Sequence, residues 1–254
     1  MAGTPASVTH ELTERVNEMW GDLTSGGQEI NEFAWKRLFR DIQKLQTALE
    51  CKPDALLLEA AMWAFKLDEE GVQRALNIYS GWYGKTAAWY RARAGFAPRL
   101  GRPQMLVDMI DNQYPVGDPH GLLTLLNSSA QMGMFVTARR AIYDLDKLKI
   151  DDLPGKAYIR FEQTMQAANY ITENDLNERD FADRLQVASE VINKYAPVSV
   201  FSLETGDFGV LFEYVLDFDI DKLIEIDNEI SDTICVRFED SLAQHISIGV
   251  TPKR

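Results

Sequence analysis

The hydrophobic pattern predicts a mainly α protein: helical hairpins stacked as an array or bundle, then a small C-terminal β-hairpin–α–β unit. Three observations carry this. Apolar residues recur at helical spacing in ten successive segments up to Tyr195. Glycine, proline and capping residues separate those segments at short intervals. At Pro197 the apolar period changes from 3.6 to 2.

Val8–Leu23 places Leu12, Val16, Met19, Trp20 and Leu23 on one stripe, and Ser25-Gly26-Gly27 ends it. Asn31 caps a second helix whose stripe is Phe33, Leu38, Ile42, Leu45 and Leu49. Pro53-Asp54 opens a third, Ala55–Leu67, apolar nearly all round, which places it between neighbours rather than on the surface. Asp68 caps a fourth, carrying Val72, Ala75, Leu76 and Tyr79. A fifth runs through Trp89 to about Arg93, where Gly95, Pro98 and Gly101 break the pattern. Pro103 starts a sixth, with Met105, Leu106, Met109 and Ile110. Asp118-Pro119 opens a seventh, Leu122–Met132, and Gly133 separates it from an eighth, Phe135–Leu148. The ninth is Tyr158–Ile171, and the tenth runs from about Glu178 to Tyr195.

Beyond Pro197, Val198, Val200 and Leu203 alternate with serines. Thr205-Gly206-Asp207 turns the chain, and Phe208 to Phe218 alternate in a second strand. Ile220–Phe238 reads as a helix, and Ile246, Ile248 and Val250 as a closing strand. The expected domains are therefore 1–195, helical, and 196–254, a small acidic α/β unit.

Hairpin turns fall near Asp68, Arg99, Gly133 and Asn174, at intervals of about 31, 34 and 41 residues. Across one of them, Gly133, Phe135 and Ala138 form a Gly-x-aromatic-x-x-Ala run. That run, within Leu122–Leu145, resembles the tetratricopeptide (TPR) pattern over about one repeat. Leu126 stands where the repeat has Gly, and Ile150 where Pro closes it. The resemblance implies a TPR-like array; a non-repetitive helical bundle is the alternative.

The chain has 254 residues, 46% of them hydrophobic, enough for a substantial core and too many for a disordered chain. Its 26 basic and 39 acidic residues leave a net charge of −13, which disfavours general nucleic-acid binding. Two cysteines, Cys51 and Cys235, build no disulfide framework. There is no signal-peptide pattern at the start, and the longest apolar stretch is too short and too charged to span a bilayer. A cytoplasmic location, with no membrane contact, is the expectation.

Charge is unevenly placed. Gly71–Val107 holds Arg74, Lys85, Arg91, Arg93, Arg99 and Arg102, and no acid. Trp82, Tyr83, Trp89, Tyr90 and Phe96 lie among them. Arginine with aromatics makes the strongest anchors of protein interfaces and also stacks on bases. The candidate binding set is Lys85, Trp89, Tyr90, Arg91, Arg93, Arg99 and Arg102. The same residues also suit a structural role, with aromatics in the core and arginines on internal acids. Conversely, Tyr195–Arg254 has 12 acids against 4 bases. Its acidic run Glu213–Asp232 reads as a solvated helix face or as a docking surface for a basic partner.

Other motifs carry little chemistry. Gly84-Lys85-Thr86 lacks the earlier glycine of a phosphate-binding loop: position 79 is Tyr. Asp217–Asp221 begins like a calcium loop, but Lys222 and Asn228 stand at its required Gly and Glu positions, so Asp219 or Asp221 reads as a helix cap. His10, His120 and His245 have no ligand spacing, and Ser128-Ser129 no elbow glycines. No catalytic residue, metal or cofactor is assigned. The expected function is a non-enzymatic interaction, scaffold or adaptor subunit using a helical groove and the basic-aromatic patch. Its expected partner is a protein with an acidic segment, and self-association through an open strand edge of the C-terminal unit is a further expectation. The alternatives are a polyanion-contacting subunit of a nucleoprotein assembly and an enzyme with a dispersed site.

Overall fold

The computed structural model describes residues 5–26, 30–149, 161–196 and 200–253. Among them the chain is mainly helical, with eleven helices and one three-stranded sheet at the C-terminal end, as the change of period predicts. It divides into two compact units, Met1–Leu100 and Gly101–Arg254.

The first unit comprises α1 (Pro5–Gly26), α2 (Glu32–Leu45), α3 (Lys52–Phe65), α4 (Glu69–Tyr83) and α5 (Ala87–Leu100). The other four helices all pack on α3. That explains its all-round apolarity: Ala55, Leu56, Ala60, Met62, Ala64 and Phe65 are buried on different sides of the helix. On α2 the buried stripe is Trp35, Leu38, Ile42 and Leu45. Phe33 and Leu49, expected there, are exposed; the run 35, 38, 42, 45 keeps unbroken three–four spacing without them. The Asn31 carboxamide oxygen accepts from the N–H groups of Phe33 and Ala34, the expected cap.

Asp68 likewise caps α4 by accepting from the Gly71 N–H at 2.8 Å. Gly71 is required by contact: a Cβ there would lie 2.5 Å from the Trp63 ring. The fifth helix is longer than the breakers suggest. It continues through Gly95 and Pro98 to Leu100 because Ala94, Ala97 and Leu100 are buried along it. Tertiary burial outweighs the local cost of roughly 1 kcal/mol for a helical glycine and about 3 kcal/mol for a helical proline.

The second unit comprises α6 (Gln104–Asn112), α7 (Pro119–Gln131), α8 (Phe135–Lys147), α9 (Phe161–Glu173), α10 (Glu178–Ile192), β1 (Val200–Gly206), β2 (Gly209–Leu216), α11 (Ile220–Arg237) and β3 (Ile246–Pro252). Residues 158–160, expected in the ninth helix, and Val198, expected in the first strand, lie outside the described residues. Helices α7 and α8 form an antiparallel hairpin through Gly133, whose φ is +73°. A Cβ on Gly133 would come within 2.5 Å of Leu185 Cδ1, so the turn needs glycine for both conformation and space.

Strands β1 and β2 pair antiparallel, with Gly206 opposite Gly209; β2 and β3 pair parallel across the α11 crossover. Sheet residues Leu203, Val210, Phe212 and Tyr214 share one core with Phe135 of α8, Ala168 of α9, Phe181 and Leu185 of α10, and Ile226 and Ile230 of α11. Within the second unit, α8 to α10 supply half of the core that the sheet needs. On β3, the Asp227 carboxylate accepts from the Val250 N–H at 3.3 Å. Gly249 makes room for it, since a Cβ there would sit 2.7 Å from Asp227 Oδ1.

Candidate functional site

The acid-free stretch 71–107 has its aromatic half in the interior. Trp89 is buried at the α4–α5 contact and donates its indole N–H to the Leu76 carbonyl at 2.9 Å. Tyr90, also buried, meets the Trp89 ring edge-on at 5.0 Å. Helical spacing cannot distinguish an inward from an outward indole; the hydrogen bond does, because an interior indole N–H needs an acceptor.

The basic residues have separate fates. Arg99 closes α3: its Nε donates to the Ala64 carbonyl at 3.2 Å and its Nη2 to the Phe65 carbonyl at 2.6 Å. A cation here meets the negative end of the helix and covers carbonyls that the helix leaves open. Burial pushes this guanidinium down to about 10, far below an ordinary arginine. Arg93 donates to Gln73 Oε1 at 2.8 Å and lies over the Trp89 ring, its guanidinium carbon 5.4 Å from the centroid. Lys85 is exposed, with Nζ 5.2 Å from the same ring centroid. Arg91 is half-buried on α5.

Arg102 belongs to the second unit. There it donates to Glu190 Oε1 at 2.7 Å, while Arg237 donates to Glu190 Oε2 at 2.7 Å. Burial raises the Glu190 carboxyl, but hydrogen bonds from Gln186, Arg237 and Arg102 outweigh this and hold it below the usual carboxylate range.

What the first unit presents outward is a face of α4. Val72, Ala75, Leu76 and Tyr79 point into the core. Arg74, Ile78 and Trp82, at i, i+4 and i+8, therefore lie on the opposite side. Trp82 is 66% exposed and Ile78 42%. Lys52 Nζ stands 4.0 Å above the Trp82 ring, a cation–π contact that holds the indole in place without burying it. An open groove of about 560 Å³ runs along this face, lined by Glu70, Gln73, Arg74, Asn77 and Ile78. The sequence signal for this face was present: Ile78 and Trp82 fall outside the buried period of their helix. Lys52, from another helix, had no such signal.

The units differ in charge. Residues 1–100 carry 12 basic and 13 acidic groups, whereas residues 101–254 carry 14 and 26. The α4 face, with Lys52 and Arg74 against Glu70, thus sits in a nearly neutral unit and carries one net positive charge.

The calcium-like run resolves as a cap: Asp219 accepts from the Lys222 N–H at 2.8 Å. Among the described residues, no group of three or more His, Cys, Asp or Glu side chains is placed to hold a metal. Both cysteines are free. Among the described residues, no helix is long and apolar enough to cross a membrane. No protein-family model matches the chain, and no curated protein or solved structure matches it significantly.

Proposed function

We propose that this chain is a non-enzymatic interaction subunit, an adaptor or scaffold, whose first unit receives an acidic, apolar-bearing segment of a protein partner along α4. One observation carries the reading: Trp82 is largely exposed beneath Lys52, at the end of a stripe that also bears Ile78 and Arg74. A large aromatic left in water is an unused reservoir of binding energy; covering it contributes about 2 kcal/mol, or roughly thirtyfold in affinity. Cations around it favour carboxylates in the partner and speed their approach. Of the sequence-derived set, Lys85 is exposed, and Trp89, Tyr90 and Arg99 support the helices that carry this face.

Self-association fits a second, specific observation. In the sheet, β1 and β3 are the edge strands and Asp227 occupies the Val250 N–H of β3, so pairing with another copy is assigned to β1.

The test is quantitative capture of partners by the full chain, comparing wild type with Trp82→Ala and with the pair Arg74→Glu and Lys52→Glu. The expected result is loss of the same captured protein in both variants, at unchanged thermal stability. Capture that survives both variants removes the α4 face from the account. Binding of wild type to single-stranded nucleic acid that weakens log-linearly with salt would transfer the face to a polyanion instead.

A further inference from the structure

The second unit carries a cationic groove that the α4 reading does not use. It is an open groove of about 620 Å³ between the exposed face of α8 and the loop that follows α6. Val136, Arg140, Tyr143 and Lys147 stand at i, i+4, i+7 and i+11 on α8, one stripe about 16 Å long. Val116, 83% exposed, and the half-buried ring of Tyr114 form the opposite wall.

The charges are arranged rather than merely close. Arg140 lies over the Tyr114 ring, its guanidinium carbon 3.8 Å from the centroid. The ring is itself held, because the Tyr114 hydroxyl donates to Asp144 Oδ2 at 2.8 Å. Burial and that bond push the Tyr114 hydroxyl well above the ordinary tyrosine range, so it stays protonated and keeps donating. Among the described residues Arg140 makes no hydrogen bond, so a positioned guanidinium fork faces solvent. Arg139 is anchored on α9 by two neutral acceptors, Asn169 Oδ1 at 2.6 Å and Thr172 Oγ1 at 3.0 Å, which leave its charge uncompensated. Lys147 pairs with Asp144 at 2.7 Å, and its side chain is 73% exposed. Three cations against one carboxylate leave an excess of two positive charges, in a unit with twelve more acids than bases.

We infer that this groove binds a small organic phosphate: a phosphate monoester whose body is aromatic or apolar. The excess of two charges matches a phosphate monoester, which carries about −1.5 to −2 near neutral pH. A single carboxylate would leave one cation unmatched. The Arg140 fork suits two phosphate oxygens, with Lys147 about two turns along as a point charge. Val116, Val136, Tyr143 and Leu148 supply the apolar contact for the body. The volume lies within the range of small-ligand sites.

The experiment uses the full chain and three probes: phenyl phosphate, benzoate and inorganic phosphate. Binding is read by calorimetry and by shifts of the tyrosine ring resonances. Phenyl phosphate should bind saturably and perturb the Tyr143 ring. Arg140→Gln should weaken it at least tenfold, and Lys147→Gln severalfold. Benzoate and inorganic phosphate should each bind at least tenfold more weakly than phenyl phosphate. All these side chains lie at the surface, so folding is checked directly by circular dichroism of each variant. Absence of saturable phenyl phosphate binding at millimolar concentration overturns the site. Equal binding by folded Arg140→Gln overturns the role of the fork, and benzoate as tight as phenyl phosphate overturns the dianion assignment.

Discussion

Replacing Arg99 by Met should destabilise the first unit without touching the second. The substitution keeps an apolar stem and removes both donors to the end of α3. The two acceptors do not suffer equally. The Ala64 carbonyl still accepts from the Leu67 N–H at 3.1 Å, whereas the Phe65 carbonyl loses its 2.6 Å bond from Arg99. Losing a charged donor to a buried carbonyl costs about 1.5–3 kcal/mol, and the bond at 3.2 Å adds about 0.5–1 kcal/mol. Relief from burying the guanidinium offsets part of this, so the net loss should be about 2–3 kcal/mol. The assay is specific because all five tryptophans, Trp20, Trp35, Trp63, Trp82 and Trp89, lie in residues 1–100. Tryptophan emission in urea therefore reads the first unit alone. Its midpoint should fall by about 0.7–3 M, given a slope of roughly 1–3 kcal/mol per molar. Arg99→Lys, which keeps the charge but loses the fork, should fall between. An unchanged midpoint for Arg99→Met would refute the structural role and return Arg99 to the exposed candidates.

Two further outcomes separate conformational strain from crowding and test alkaline stability. Gly84 and Gly133 have nearly equal positive φ, +76° and +73°, but only Gly133 faces a neighbour. Gly84→Ala should cost about 2–3 kcal/mol by tryptophan emission, from the backbone alone, because its φ of +76° with ψ of 178° lies in a region open essentially to glycine. Gly133→Ala should cost about 2–4 kcal/mol in the second unit by circular dichroism, because Leu185 must also move. In the second unit, burial pushes the Tyr214 hydroxyl up to about 12, and a hydrogen bond to Glu229 pushes Tyr195 up to about 12. A folded value above the unfolded one means that folded protein holds the proton longer, so the contribution is intact below pH 10 and is lost as pH rises towards 12. Urea midpoints of the second unit, read by circular dichroism, should fall across that window, and Tyr214→Phe should remove much of the fall; a flat profile would contradict it.

Local signals in the sequence carried most of the elements. Asn31, Asp68 and Asp219 cap as their residue types require, because a cap is a contact within three residues. The switch at Pro197 marked the sheet, because period 2 and period 3.6 bury different sets of residues. The all-round apolar third helix announced its central place for the same reason. The basic-aromatic stretch was equally visible as composition.

What composition could not determine was which way each of those side chains faces. Trp82 and Trp89 are the same residue type seven apart, about two helical turns, yet they lie on different helices, one exposed and one sealed onto the Leu76 carbonyl. Arg99 found its acceptors some 35 positions back, and Arg102 found Glu190 88 positions ahead. Lys52 over Trp82, and Tyr114 beneath Arg140, are likewise pairings between separate elements. The length of α5 and the division at 100/101 follow the same rule, since both depend on burial shared among distant segments. The sequence by itself determined secondary structure and the location of charge, because these are written in neighbouring residues. Only tertiary packing decided which charges and rings remain in water to meet a partner, because partnership between distant side chains is set by how the helices and sheet come together.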